Sequence, residues 1–172
     1  MTDPLVADET KWTVAPATFF CQDCFMTDRF NLEDFLPFRL NVLAQEVSLG
    51  LSAIYAERFS LDIPQWRILA NLASRGEMTA QDIARVAFSH KSTVSRAVSE
   101  LETRKLIDRK NDPCDGRAYR LRLTAKGKTL FAELLPDVLA YEKDILTQLK
   151  SSDVLSLLRG LTALETIVLN KE

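Results

Sequence analysis

Residues 79–128 constrain the fold of this chain more than any other stretch. Thr79 is a good N-cap with Asp82 three residues on, and it starts a short helix of about 80–86 that buries Ile83 and Ala84. Ser89 is expected to cap the next helix, about 90–104. Its apolar residues Val94, Ala97, Val98 and Leu101 recur at helical spacing on one side. Lys91, Ser92, Thr93, Ser95, Arg96 and Ser99 then lie on or near the opposite face. Residues 106–110 and 119–123 read as strands around the turn-rich loop NDPCDGRA, which contains Pro113 and Gly116. Two helices across a tight turn, followed by a β-ribbon, form a winged helix-turn-helix. That shape suits duplex DNA, because small hydroxyls and an Arg on a helix can enter the major groove and reach base edges.

Charge is distributed to match. The whole chain is mildly acidic, net −2 with pI about 5.6. Between Arg85 and Lys128, however, twelve Lys or Arg face five acids, so this segment is +7 and the remainder is −9. A basic segment on an acidic body is the asymmetry expected of a DNA-reading element on a scaffold with another task.

The flanks read as helical. From about 36 to 59, Leu36, Leu40, Leu43, Val47, Leu51 and Ile54 form one stripe of a long helix. Pro37 fits its first turn, and Gly50 weakens its middle. A helix with so much apolar face in a small chain needs a partner. Pro64 opens a helix of roughly 64–74 that Gly76 closes, and Met78 reads as a strand edge. Thr124 caps a long helix, about 125–149, which Pro136 is expected to kink. Ser151 or Ser152 caps a last helix whose apolar side carries Val154, Leu157, Leu158, Leu161, Leu164 and Val168. Residues 1 to about 30 form an extension with Cys21-x-x-Cys24, and its Phe residues argue against a freely disordered tail.

The fold class expected is mainly α with a small β-wing, a winged helix-turn-helix core flanked by N- and C-terminal dimerisation helices. The domains expected are an extension (1–31), a helical dimerisation region (32–60 and 125–172) and a DNA-binding domain (61–124). No apolar run approaches the roughly 18 residues that span a bilayer. The N-terminus carries acids rather than a basic secretory n-region, so cytoplasm is the expected location. No phosphate loop, nucleophile elbow or H-E-x-x-H motif is present, so an enzyme is not expected. Three Cys and one distant His do not make a zinc spacing, so neither metal nor cofactor is expected.

The run VSRAVSELETRKLIDR, the D-G-R of the wing and the exit LRLTAKG resemble the MarR family of regulators, over about residues 32–169. Lys105 departs from the family's usual Gly after the recognition helix. The resemblance implies a triangular homodimer whose end helices interdigitate across a two-fold axis, with two winged lobes facing a pseudo-palindromic operator. It also implies a repressor that a small ligand releases from double-stranded DNA.

The DNA-contact candidates are Ser89, His90, Lys91, Ser92, Thr93, Ser95, Arg96, Arg109, Asp115 and Arg117. Lys91 is expected on phosphate. Arg109, Arg120 and Arg122 are further phosphate candidates. Arg117 matches the family's minor-groove Arg, and Asp115 is expected to hold a basic side chain in place. The resemblance places a ligand cleft between the helical and winged parts, with Arg39, Leu43, Trp66 and Arg67 as candidate lining. PFRL and PQWR look similar to the branch that answers to aromatic carboxylates or their thioesters, and an Arg beside aromatic walls suits a ring carboxylate. The competing reading puts Trp66 in the core and pairs both Arg residues with acids. Two functional alternatives are a redox-sensing regulator using Cys21 and Cys24, and a dimeric adaptor that does not bind DNA. A thiol enzyme is disfavoured, because the Cys pair lacks a βαβ context and a neighbouring base. Arg117→Ala should weaken binding to duplex DNA and lower the slope of log affinity against log salt by about one unit; gel shifts across a salt series measure both.

Overall fold

A computed structural model describes residues 30–87, 89–111 and 119–169. They fall in two units, the first ending at Arg39 and the second starting at Leu40. In the first unit, Asn31 caps a single tight helical turn, Leu32–Asp34, accepting from Glu33 N–H. The Phe30 and Phe35 rings meet edge-on at 5.5 Å. The Cys21–Cys24 pair and nearly all of the expected extension lie outside the described residues.

Helix α1 (Leu36–Phe59) begins in the first unit and continues into the second. It is followed by α2 (Ile63–Arg75), β1 (Met78–Thr79), α3 (Ala80–Val86) and α4 (Lys91–Thr103). Then come β2 (Ile107–Asn111), β3 (Tyr119–Leu123), α5 (Ala125–Thr147) and α6 (Ser151–Leu169). The antiparallel sheet has order β1-β3-β2, with Ile107 opposite Leu123, Asp108 opposite Arg122 and Met78 opposite Leu121. The core lies beneath α2, α3, α4 and the sheet, where Ile68, Leu69, Ile83, Leu101, Leu106, Ile107 and Leu134 are almost fully buried. This is a mostly helical winged-helix architecture. No described helix is long and apolar enough to cross a membrane.

Local chemistry explains the element ends. Asp62 and Gln65 form a reciprocal capping box at α2, with each side chain bonded to the other's backbone N–H. Gly76 ends α2 at φ +81°, in the left-handed region that glycine favours. Thr124 caps α5 by accepting from Gly127 N–H at 3.0 Å. Helix α5 runs unbroken through Pro136 and stops at Thr147. Helix α6 starts at Ser151, with the Lys150 carbonyl accepting from Asp153 and Val154. The hydroxyl of Ser152, an expected cap, turns instead to Asp153.

Gly50, expected to be a weak point, is where α5 crosses close to α1. The Tyr141 hydroxyl occupies the space a Cβ would need and donates to the Val47 carbonyl at 3.1 Å. Lys105 adopts φ +59°. Its N–H bonds to Glu102 O and the Leu106 N–H to Leu101 O, so α4 closes in a Schellman motif on a residue with a Cβ. The Thr124 hydroxyl donates to the Lys105 carbonyl at 2.7 Å, and Thr124 N–H bonds to Leu106 O at 3.0 Å. Gly127 leaves room for that Leu106 carbonyl, which a Cβ would strike. Lys105→Gly should therefore stabilise the fold by about 0.5–1 kcal/mol through released strain. Gly127→Ala should destabilise it by about 2 kcal/mol or more through overpacking against backbone. Urea unfolding of the two variants measures both signs.

Candidate nucleic-acid interface

The turn between α3 and α4 shows how the second helix is presented. Thr79 caps α3 by accepting from Asp82 N–H, and Arg85 pairs with Asp82 on the exposed side. Ser89 does not cap α4 as expected. Its hydroxyl donates back to Ala87 O at 3.1 Å, and its N–H bonds to Ala84 O, which closes the end of α3. The N-cap position belongs to His90, whose backbone is extended and whose side chain makes no capping bond. Val94, Ala97, Val98 and Leu101 are buried, as their spacing predicts. His90, Lys91, Ser92, Ser95 and Arg96 are exposed, and Thr93 is half-buried.

Side-chain partners sort this face further. Among the described residues, the hydroxyls of Ser92, Thr93 and Ser95 make no hydrogen bond and Lys91 makes no ion pair. Arg96 Nε lies 3.8 Å from Glu100 Oε1, a loose pairing that leaves the guanidinium largely in solvent. The Ser99 hydroxyl is used locally, donating to Ser95 O. One face of α4 therefore presents a cation at its start, three free hydroxyls and an Arg one turn on.

The wing's cations are more engaged than its sequence suggests. Arg109, expected on phosphate, sends Nε and Nη2 to the two carboxylate oxygens of Glu102 at 2.6 and 2.8 Å. Alternation along β2 puts Arg109 on the side of the sheet that faces α4, where Glu102 sits. Arg122 grips Asp108 across the strands at 2.7 and 3.1 Å. That bond holds the Asp108 carboxyl below its usual range, and the Glu102 bond raises Arg109. Lys110 lies 3.5 Å from Glu77. Asp115 and Arg117, together with Cys114, lie outside the described residues.

The expected ligand-lining residues have different surroundings. Arg39 is exposed in the first unit. Leu43 is 59% exposed on α1. Trp66 stacks with Tyr55 and with Phe131, with ring centroids 5.6 and 5.7 Å away, and is half-buried. Arg67 is half-buried near Tyr55, whose hydroxyl burial pushes up to about 12, a rise that the Arg67 charge opposes. A cleft of about 740 Å³ opens elsewhere, bounded by Leu72, Glu77, Asp108, Arg122, Lys128 and Phe131, with none of the expected lining residues among its walls.

Sequence reasoning passed over Gln65, Glu100, Glu102 and Arg104, which brace α4 and the wing. The D-x-x-Q spacing at Asp62 carried a readable capping signal. The others become visible only once the elements are packed.

A family model described as MarR family matches residues 59–118. The HTH-type transcriptional repressor IacR of Pseudomonas putida is 29% identical over 101 residues, covering 59% of this chain. The chain thus spans about 60% of that curated relative's length. A MarR/EmrR family regulator from Acinetobacter sp. ADP1 superposes with TM-score 0.70 at 27% identity, over 81% of this chain and 98% of that one. Bordetella bronchiseptica BpsR, whose DNA binding is regulated by 6-hydroxynicotinic acid, shares the fold. Its TM-score is 0.68 at 19% identity, over 80% of this chain and 98% of BpsR.

Proposed function

We propose that this chain, which belongs to the MarR family of winged-helix transcriptional regulators, binds a pseudo-palindromic operator as a homodimer and leaves when a small aromatic acid binds. DNA-binding regulation comes with the family; the dimer, the operator and the ligand are the proposal. The observation that carries it is the apolar surface left uncovered on α1 and α6. Not one residue of α6 is buried, and Leu155, Leu158, Leu161, Ile167 and Val168 are all 40% exposed or more. Leu40, Leu43 and Val47 of α1 are similarly open. Contiguous apolar surface of this kind marks an interface. A second copy supplies the matching face by symmetry.

In this reading α4 enters the major groove. Lys91 meets phosphate, His90 and Ser89 lie at the groove edge, and Ser92, Thr93, Ser95 and Arg96 face the bases. Arg117, in the sequence between β2 and β3, is the candidate for the minor groove, and Asp115 the candidate acid for positioning a basic side chain. Arg109 braces the wing through Glu102. The ligand part draws on BpsR, since 6-hydroxynicotinic acid is a ring carboxylate. Arg67 is the candidate cation for such a group. A ligand favouring a lobe spacing that misfits the operator would release DNA by its differential affinity.

Sedimentation should give a dimer at micromolar concentration. Leu158→Glu should shift it toward monomer and weaken gel-shift affinity for the DNA upstream of the chain's own gene by about tenfold or more. A monomeric wild type, or indifference to every duplex at low salt, removes the proposal. Calorimetry with benzoate, salicylate and 6-hydroxynicotinate tests the ligand part, which fails if none of the three binds.

A further inference from the structure

Two attachments tie α4 to the corner between α1 and α2, and neither uses a side chain assigned above to DNA. Gln65 is only 5% exposed, and its Nε2 donates to Glu100 Oε2 at 2.6 Å. Gln65 is itself fixed by the capping box with Asp62. One turn beyond Glu100, Arg104 donates from Nη1 to Ser60 O at 2.8 Å and from Nη2 to Phe59 O at 2.6 Å. These are carbonyls at the end of α1, where a helix leaves acceptors without partners and a guanidinium is favourable. The other oxygen of Glu100 is the one that faces Arg96.

We propose that Gln65, Glu100 and Arg104 are positioning residues for DNA reading, holding α4 at one attitude so that Arg96 and its neighbouring hydroxyls meet a particular base sequence. The inference rests on α4 being the element that reads DNA. The buried side of α4 is aliphatic, and aliphatic contact is non-directional. It leaves the helix some freedom to roll about its axis and to slide along it. Two directional attachments, one of them a charge-assisted bond to a carboxylate, remove that freedom. Phosphate attraction tolerates a small tilt, whereas base-edge hydrogen bonds do not. Loss of the attachments therefore shows in discrimination between sequences rather than in affinity for DNA as such.

The test uses the full chain with two duplexes: one selected by the wild-type protein from a random pool, and a scramble of equal composition. Gln65→Met removes the Glu100 bond without altering charge. It should lower the selected-to-scrambled affinity ratio about tenfold while scrambled binding stays within twofold. Arg104→Met should lower the ratio likewise, and Arg104→Lys should recover part of it. Leu72→Ala, a core truncation away from the corner, controls for stability and should leave the ratio unchanged. If Gln65→Met and Arg104→Met unfold, Glu100→Ala, which removes the acceptor of the Gln65 bond, decides and should lower the ratio likewise. A ratio preserved within twofold in the folded variants overturns the proposal, as does an equal loss in Leu72→Ala. A wild type that selects no duplex overturns the prior reading of α4 instead, and is seen before any variant is made.

Discussion

The backbone turn at Lys105 and Leu106 is the constraint on which most of the architecture depends. Helix α4 ends there in a left-handed residue, β2 starts one residue later, and α5 is built against the same carbonyls. Thr124 serves both sides of the junction: it caps α5 through Gly127 N–H and donates to the Lys105 carbonyl. Lys126 adds a bond to Arg104 O at 3.0 Å. Because Leu106 is buried and bonded back to Leu101, none of these elements can shift without disturbing the others. The L-T-x-x-G exit is thus a packing solution: Thr satisfies two sets of backbone groups, and Gly admits a carbonyl where any Cβ would collide.

Charge is organised differently from what a count along the chain suggests. The surplus of cations between Arg85 and Lys128 is genuine, yet at the stem of the wing Arg109, Lys110 and Arg122 all have carboxylate partners. Exposed pairs of this kind contribute little to stability. Their effect is on geometry, since bidentate Arg–carboxylate contacts fix orientation as well as proximity. They also offset the charge of the wing's stem. A polyanion is drawn to the basic segment between Arg85 and Lys128 more than to the acidic remainder of the chain.

How much could be read in advance follows from whether a feature is local. Helical spacing placed α1, α4 and α6, and turn residues placed the wing, because these patterns arise within one element. Ser89 was misjudged because two adjacent residues could fill the cap, and the choice depended on how α3 ended. The partner of Arg109, Glu102, lies on a different element, and spacing along β2 says nothing of it. Gly50 looked like a defect until Tyr141 was seen in the space it leaves. Trp66 has two readings in the sequence, and its stacking partners Tyr55 and Phe131 are remote in the chain, so spacing cannot name them.

Side-chain contacts also connect α1, with its exposed apolar residues, to α5 and α4. Tyr141 bonds to Val47, Asp137 pairs with Arg58, and Arg104 holds the last carbonyls of α1. Helix α5 begins on the Leu106 carbonyl at the foot of the wing. Helices α1 and α4 are therefore joined by directional bonds. Packed interiors shift between discrete arrangements more readily than they deform continuously. On the reading proposed above, a partner that covers the exposed apolar face of α1 bears, through these bonds, on the angle at which α4 meets DNA.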